Sequence, residues 1–140
     1  MIQKFLKLVL LIIFCPNILL ANNQFFSEGL NLFKIKKFKE AKFKFEQDLV
    51  LNPKNEMSYL FLSKIFKSLN KKDLQEQNLN TVILLNPENE EAIYNLARLK
   101  LETADYEKSK ELNDRLITFC ENYCNNSKKL RLEIENLLKK

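Results

Sequence analysis

From Asn22 onward the apolar residues recur at helical spacing, and the same face reappears three times along the chain. Phe25 and Leu32 flank Gly29, Tyr59 and Phe66 flank Ser63, and Ile93 precedes Ala97 by one helical turn. Residues three and four apart share a helix face, so each small residue sits in an apolar stripe where another backbone can approach closely. Asn52-Pro53 and Asn86-Pro87 stop the pattern, because a proline disfavours helix at the preceding residue. Asp73 followed by Glu76 reads as a capping pair. The pattern predicts seven helices, at about 23–36, 39–51, 56–69, 73–85, 90–102, 105–122 and 128–139. In the last of these, Leu130, Ile134, Leu137 and Leu138 form one stripe, as expected of a closing helix.

The segment Leu51-Asn52-Pro53-Lys54-Asn55-Glu56 returns as Leu85-Asn86-Pro87-Glu88-Asn89-Glu90, with the two prolines 34 residues apart. The period and its residues resemble the tetratricopeptide repeat. Residues 22–55 match its pattern at Phe25, Gly29, Leu32, Phe38, Ala41, Phe45 and Pro53. Residues 56–89 match it at Tyr59, Leu62, Ser63, Phe66, Leu79, Val82 and Pro87, and residues 90–123 at Ile93, Leu96, Ala97, Tyr106 and Leu116. The departures are Glu28 for the usual Leu, Gln75 and Ser109 for the second-helix Ala, Asn113 for an aromatic, and no closing proline in the third unit. The resemblance implies an all-α, antiparallel helix-pair solenoid with a right-handed superhelical course. Three repeats would be followed by a capping helix over 124–140.

Residues 1–21 differ from the rest. Lys4 and Lys7 precede an unbroken apolar run from Leu8 to Phe14, Pro16 and Asn17 break it, and Ala21 offers a small residue for cleavage. No acidic residue occurs before Glu28. The segment reads as an export signal, with removal after Ala21 and a periplasmic or envelope location as the expectation. The alternatives are retention of Phe5–Leu20 as an anchor, or lipidation at Cys15, against which the bulky Phe14 argues. Either would make the protein a membrane-anchored structural subunit of envelope assembly.

Composition narrows the chemistry. One Gly and three Pro are too few for the turns of a sandwich or barrel. The formal charge of +5 comes from 20 Lys and 3 Arg, and 17 Asn accompany them, a bias expected of an AT-rich and most plausibly bacterial genome. Without Lys4 and Lys7 the balance is +3, and clustered Arg for reading bases is missing, so no nucleic-acid partner is expected. The sequence contains no His, and its single Gly cannot build a phosphate loop. The 18 carboxylates are interleaved with Lys at helical spacing, as on a solvated face. No catalytic residue, metal or cofactor is expected. Cys120 and Cys124 are too few for a zinc site; they read either as a disulfide or as two small core residues.

By the family resemblance, the first helices line a groove that takes a peptide or helix of another protein. The positions that match are Phe26, Leu30 and Phe33, then Leu60, Phe61, Lys64 and Lys67, then Tyr94, Asn95, Arg98 and Leu101. Phe26 and Leu30 stand where the family's chaperone-tail clamp would begin, so that ligand is not expected. The set suits a segment with large apolar anchors and some acidic residues. A bland reading competes, in which Phe26, Phe33 and Phe61 are covered by neighbouring helices. Lys34, Lys36, Lys37, Lys39, Lys42 and Lys44 form a basic stretch, which reads first as the solvated face of a helix and alternatively as a contact for anionic lipid or an acidic partner.

Overall fold

The computed structural model describes residues 24–139, so the expectations for residues 1–21 lie outside the described residues. The described chain is all-α: α1 Gln24–Lys34, α2 Phe38–Leu51, α3 Glu56–Ser68, α4 Lys72–Leu85, α5 Glu90–Glu102, α6 Tyr106–Ile117 and α7 Cys124–Leu138. It divides into two compact units, with the boundary between Asn55 and Glu56. Within each, helices joined by short turns pack as antiparallel neighbours.

The first unit is the α1–α2 hairpin. Gly29 is buried, and a Cβ added there would lie 2.9 Å from Phe45 Cε1, so the missing side chain is what lets the Phe45 ring in. Phe26 packs at 5.7 Å from the same ring, and Phe33 at 5.5 Å from Phe38. Glu28, in the place of the usual Leu, accepts an ion pair from Lys44 at 2.6 Å. Lys44 first, then a hydrogen bond from Gln24, hold the Glu28 carboxyl below its ordinary range. After α2 the buried Asp48 carboxylate takes Asn52 Nδ2 at 3.2 Å and Asn55 Nδ2 at 2.7 Å, and so shapes the turn around Pro53.

The second unit holds two helix pairs and α7 around Leu60, Leu79, Val82, Ala92, Ile93, Leu96, Ala97, Leu99, Leu112, Leu116, Leu130 and Ile134. The 34-residue stride recurs in burial at three positions of the second helices, to which α6 adds Leu112. Ala41, Gln75 and Ser109 are buried, as are Phe45, Leu79 and Asn113, and as are Asp48, Val82 and Leu116. Ser109 and Asn113, two of the polar members, are accommodated locally. Ser109 Oγ donates to the Ala97 carbonyl at 2.8 Å, so a hydroxyl replaces a methyl without being stranded. Asn113 Nδ2 donates to the Ser127 carbonyl at 3.1 Å, and Ser127 Oγ donates to Asn113 Oδ1 at 2.6 Å.

Three corrections concern helix ends. Each first helix closes through a residue in the left-handed region, Lys36 (φ 60), Asn70 (φ 54) and Ala104 (φ 61), again 34 apart. The paired bonds Lys37 N–H to Leu32 O and Lys36 N–H to Phe33 O, with their counterparts after α3 and α5, complete the C-terminal cap. After α3 this geometry starts α4 at Lys72, so Asp73 lies within the first turn and does not cap it. Lys71 is the N-cap, with no side-chain capping bond. Finally, α6 ends at Ile117 rather than 122, and α7 starts at Cys124 rather than 128. The amides of Thr118 and Phe119 turn back to Arg115 and Leu116, and the Glu90 carboxylate accepts from Glu121, Asn122 and Tyr123 N–H at 2.9, 2.9 and 2.8 Å. Three ionic hydrogen bonds thus hold the loop between α6 and α7, where the third unit has no closing proline. Asn125, Asn126 and Ser127, expected to form a break, are the first turn of α7.

A disulfide joins Cys120 to Cys124, with Cα atoms 5.3 Å apart. Because α6 has already ended, the two cysteines do not have to meet along one continuous helix. Helix α7 begins 34 residues after Glu90, as α5 begins 34 after Glu56, so it holds a first-helix place. Where the stride calls for a small residue it has Arg131, which reaches Asp114 at 2.7 Å.

Candidate functional site

Of the eleven positions expected to line a binding face, three belong to the first unit. Phe26, Leu30 and Phe33 are all half-buried, and the two rings are engaged with Phe45 and Phe38. They therefore serve the hairpin's own packing while keeping part of their surface open.

The other eight lie in the second unit, and one of them is misplaced. Leu60 is 2% exposed and belongs to the core, so it cannot line an open face. Leu60 and Phe61 are adjacent apolar residues, and the helix turns the first inward and leaves the second half-buried at the surface. Lys64 Nζ lies 4.7 Å from the Phe61 ring centroid and pairs with Glu91 at 2.8 Å, which ties α3 to α5. Tyr94 packs at 5.3 Å against Tyr123 from the loop before α7. Arg98 pairs with Glu133 of α7 at 2.5 Å. Asn95 and Leu101 are half-buried, the latter against the core, and Lys67 is exposed with no ion pair among the described residues.

This face is amphipathic and already assembled: Phe61 and Tyr94 share it with Lys64 and Arg98, whose charges are held by partners on neighbouring helices. Burial first, then the Glu91 charge, push the Tyr123 phenol above its ordinary value, so it stays a neutral hydrogen-bonding group at physiological pH. At the start of α5 burial pushes the Glu90 carboxyl up. The amides of Glu121, Tyr123 and Asn122 together outweigh that and hold it below the usual carboxylate range. Among the described residues no group of three or more Cys, Asp or Glu is placed to hold a metal ion.

Glu91, Tyr123 and Glu133 were not among the expected residues. Their roles come from contacts across helices, which periodicity does not report. The 34-residue stride does carry one overlooked signal. Added to Tyr94, Asn95 and Arg98 it points to Lys128, Lys129 and Leu132, all exposed on α7, so the first-helix face runs on to that helix.

No protein-family model matches the sequence, and no curated protein sequence matches it either. Solved structures do match. The TPR2B domain of yeast Sti1, in complex with pHsp70, superposes with a TM-score of 0.76 at 14% identity, covering 84% of this chain and 98% of that one. The type III secretion chaperone SycD of Yersinia enterocolitica, holding a peptide of the translocator YopD, gives 0.73 at 16% identity over 84% and 94%. The TPR domain of Sgt2 from Aspergillus fumigatus gives 0.73 at 16% identity over 86% and 83%. With its stride, its buried small residues and its helix pairs, this chain has the fold of a tetratricopeptide repeat protein.

Proposed function

We propose that the protein is a non-catalytic interaction module that takes a peptide or helix of another protein along its first-helix face, in an extracytoplasmic compartment. The observation that carries the reading is the preassembled face of α3 and α5. Phe61 is half-exposed beneath Lys64, which pairs with Glu91, and Tyr94 is half-exposed on α5 between Glu91 and Arg98 in the sequence, so apolar anchors and charged groups are presented on packed helices. Little order is lost there on binding, because the side chains are already held. Two of the structural neighbours are described with a bound peptide or partner, which supports a protein ligand. Against catalysis stand the lack of His and the pairing of the charged side chains on the face. Export is supported by the apolar, basic-led residues 1–21 and accords with a disulfide at Cys120–Cys124.

Site-specific photocrosslinking in the native cell tests this. A photoreactive residue at Asn95 or Lys67 is expected to yield a discrete protein adduct, whereas one at Leu84, 81% exposed on α4, yields none. Adducts from Leu84 with none from Asn95 and Lys67 would discard the first-helix face. Alkylation of intact cells and of lysates addresses the compartment: reduced Cys120 and Cys124 in the native protein would argue against export.

A further inference from the structure

The same turn occurs three times in this chain with one backbone and three different surfaces. The first-helix ends read Lys34-Ile35-Lys36-Lys37, Ser68-Leu69-Asn70-Lys71 and Glu102-Thr103-Ala104-Asp105, with net charges of +3, +1 and −2. All three share the left-handed residue and the paired capping bonds. The fold therefore requires neither lysine nor a large apolar residue at this tip, and the third copy, with Thr103 in the place of Ile35, does without both.

In the first copy Lys34, Lys36, Lys37 and Lys39 are exposed and make no ion pair among the described residues. The lysines that follow are engaged, Lys42 with Glu46 and Lys44 with Glu28 and the Phe25 ring. Among the free cations Ile35 is 63% exposed, and Phe43, one helical turn beyond Lys39, is 58% exposed. Lys36 occupies a backbone conformation that suits Gly or Asn better. A cluster of unpaired cations around protruding apolar side chains matches an anionic bilayer surface: the ammonium groups meet lipid headgroups and the apolar tips enter the boundary beneath. Lysine suits this diffuse attraction, whereas phosphates read one by one favour the bidentate fork of arginine. Helix α1, with 11 residues, spans about 16 Å, so the turn follows one helix length after Gln24, the first described residue.

We propose that the α1–α2 turn is a membrane-surface contact, in which Lys34, Lys36, Lys37 and Lys39 engage anionic headgroups and Ile35 enters the headgroup–acyl boundary, with Phe43 at its margin. This contact is separate from the first-helix face and does not depend on it.

The sequence contains no tryptophan, so Ile35→Trp in the full chain provides a single local reporter. On vesicles of phosphatidylcholine with phosphatidylserine, its emission is expected to shift to the blue and to be quenched by brominated acyl chains. The shift should vanish on pure phosphatidylcholine and be reversed by high salt. Lys36→Gln with Lys37→Gln in that background should weaken the response about thirtyfold. Thr103→Trp, at the acidic copy of the turn, should keep a water-like spectrum. Four outcomes overturn the proposal: an unshifted Ile35→Trp spectrum while the protein sediments with vesicles; an equal shift on neutral lipid, which is uptake by the apolar N-terminal segment; an equal shift at position 103; or an equal shift with polyglutamate in place of vesicles, which assigns the turn to an acidic protein.

Discussion

Asn113 and Ser127 exchange hydrogen bonds in the interior, the amide donating to the Ser127 carbonyl at 3.1 Å and the hydroxyl donating to the amide oxygen at 2.6 Å. Both residues are essentially without exposed surface. A position that packs a ring in the first unit, at Phe45, thus becomes in the third repeat the seat of α7. Polar pairs of this kind fix register, because any slide of α7 along α6 leaves two polar groups unpaired in an apolar setting.

Removing one partner should therefore cost more than removing both. Ser127→Ala is expected to destabilise the protein by about 1–3 kcal/mol, since the Asn113 oxygen is left without its donor. Asn113→Leu combined with Ser127→Ala should recover a large part of that loss. Urea denaturation of the two variants checks it; equal losses would show that the pair contributes nothing beyond packing.

Gly29 and Phe45 make a second coupled pair. A methyl at Gly29 would lie 2.9 Å from the Phe45 ring edge. Gly29→Ala should destabilise by about 1–3 kcal/mol despite its better helix propensity. Gly29→Ala with Phe45→Leu should be less than additive. A thermal denaturation series of the three variants decides; a neutral Gly29→Ala would mean the ring moves aside freely.

The left-handed turn residues offer gains. Ala104 has φ 61, which costs an L-residue about 1 kcal/mol relative to Gly. Ala104→Gly should raise stability by somewhat less than that, because Gly also loosens the unfolded chain. Asn70→Gly should change little, as Asn tolerates this region. Denaturation midpoints of the two variants separate these outcomes, and a loss at Ala104→Gly would refute the strain argument.

Glu90 predicts the direction of an acid response. Its carboxyl is held below the ordinary value in the folded state, so the stabilisation it gives is fully present above the unfolded pKa of about 4.3. It is lost as pH falls through the lower folded pKa. Wild type should exceed Glu90→Gln in stability at neutral pH, and the difference should shrink progressively in acid. Hydrogen exchange at the amides of Glu121, Asn122 and Tyr123 should rise over the same window. A difference that stays constant with pH would rule the carboxylate out as the cause.

Helix number, most helix bounds and the alternation of helix pairs were legible because Pro53 and Pro87 and the small residues at Gly29, Ser63 and Ala97 repeat at one stride. The binding face was only partly so. Periodicity identifies a stripe but cannot decide which flank of two adjacent apolar residues turns inward, and so Leu60 was placed with Phe61. The turns at Lys36 and Ala104 carry neither Gly nor Asn, so nothing local announced their left-handed backbone. Glu90, Glu91, Tyr123 and Glu133 act on residues about thirty positions away, and such pairings become visible only when the helices are stacked.

Pro87 marks the end of α4 by covalent geometry, while the loop after α6 is held by a single anion that collects the amides of Glu121, Asn122 and Tyr123. The first kind of boundary is permanent and the second is conditional. Whatever neutralises that anion releases three amides at once, and the approach to α7 is then held by the Cys120–Cys124 bridge.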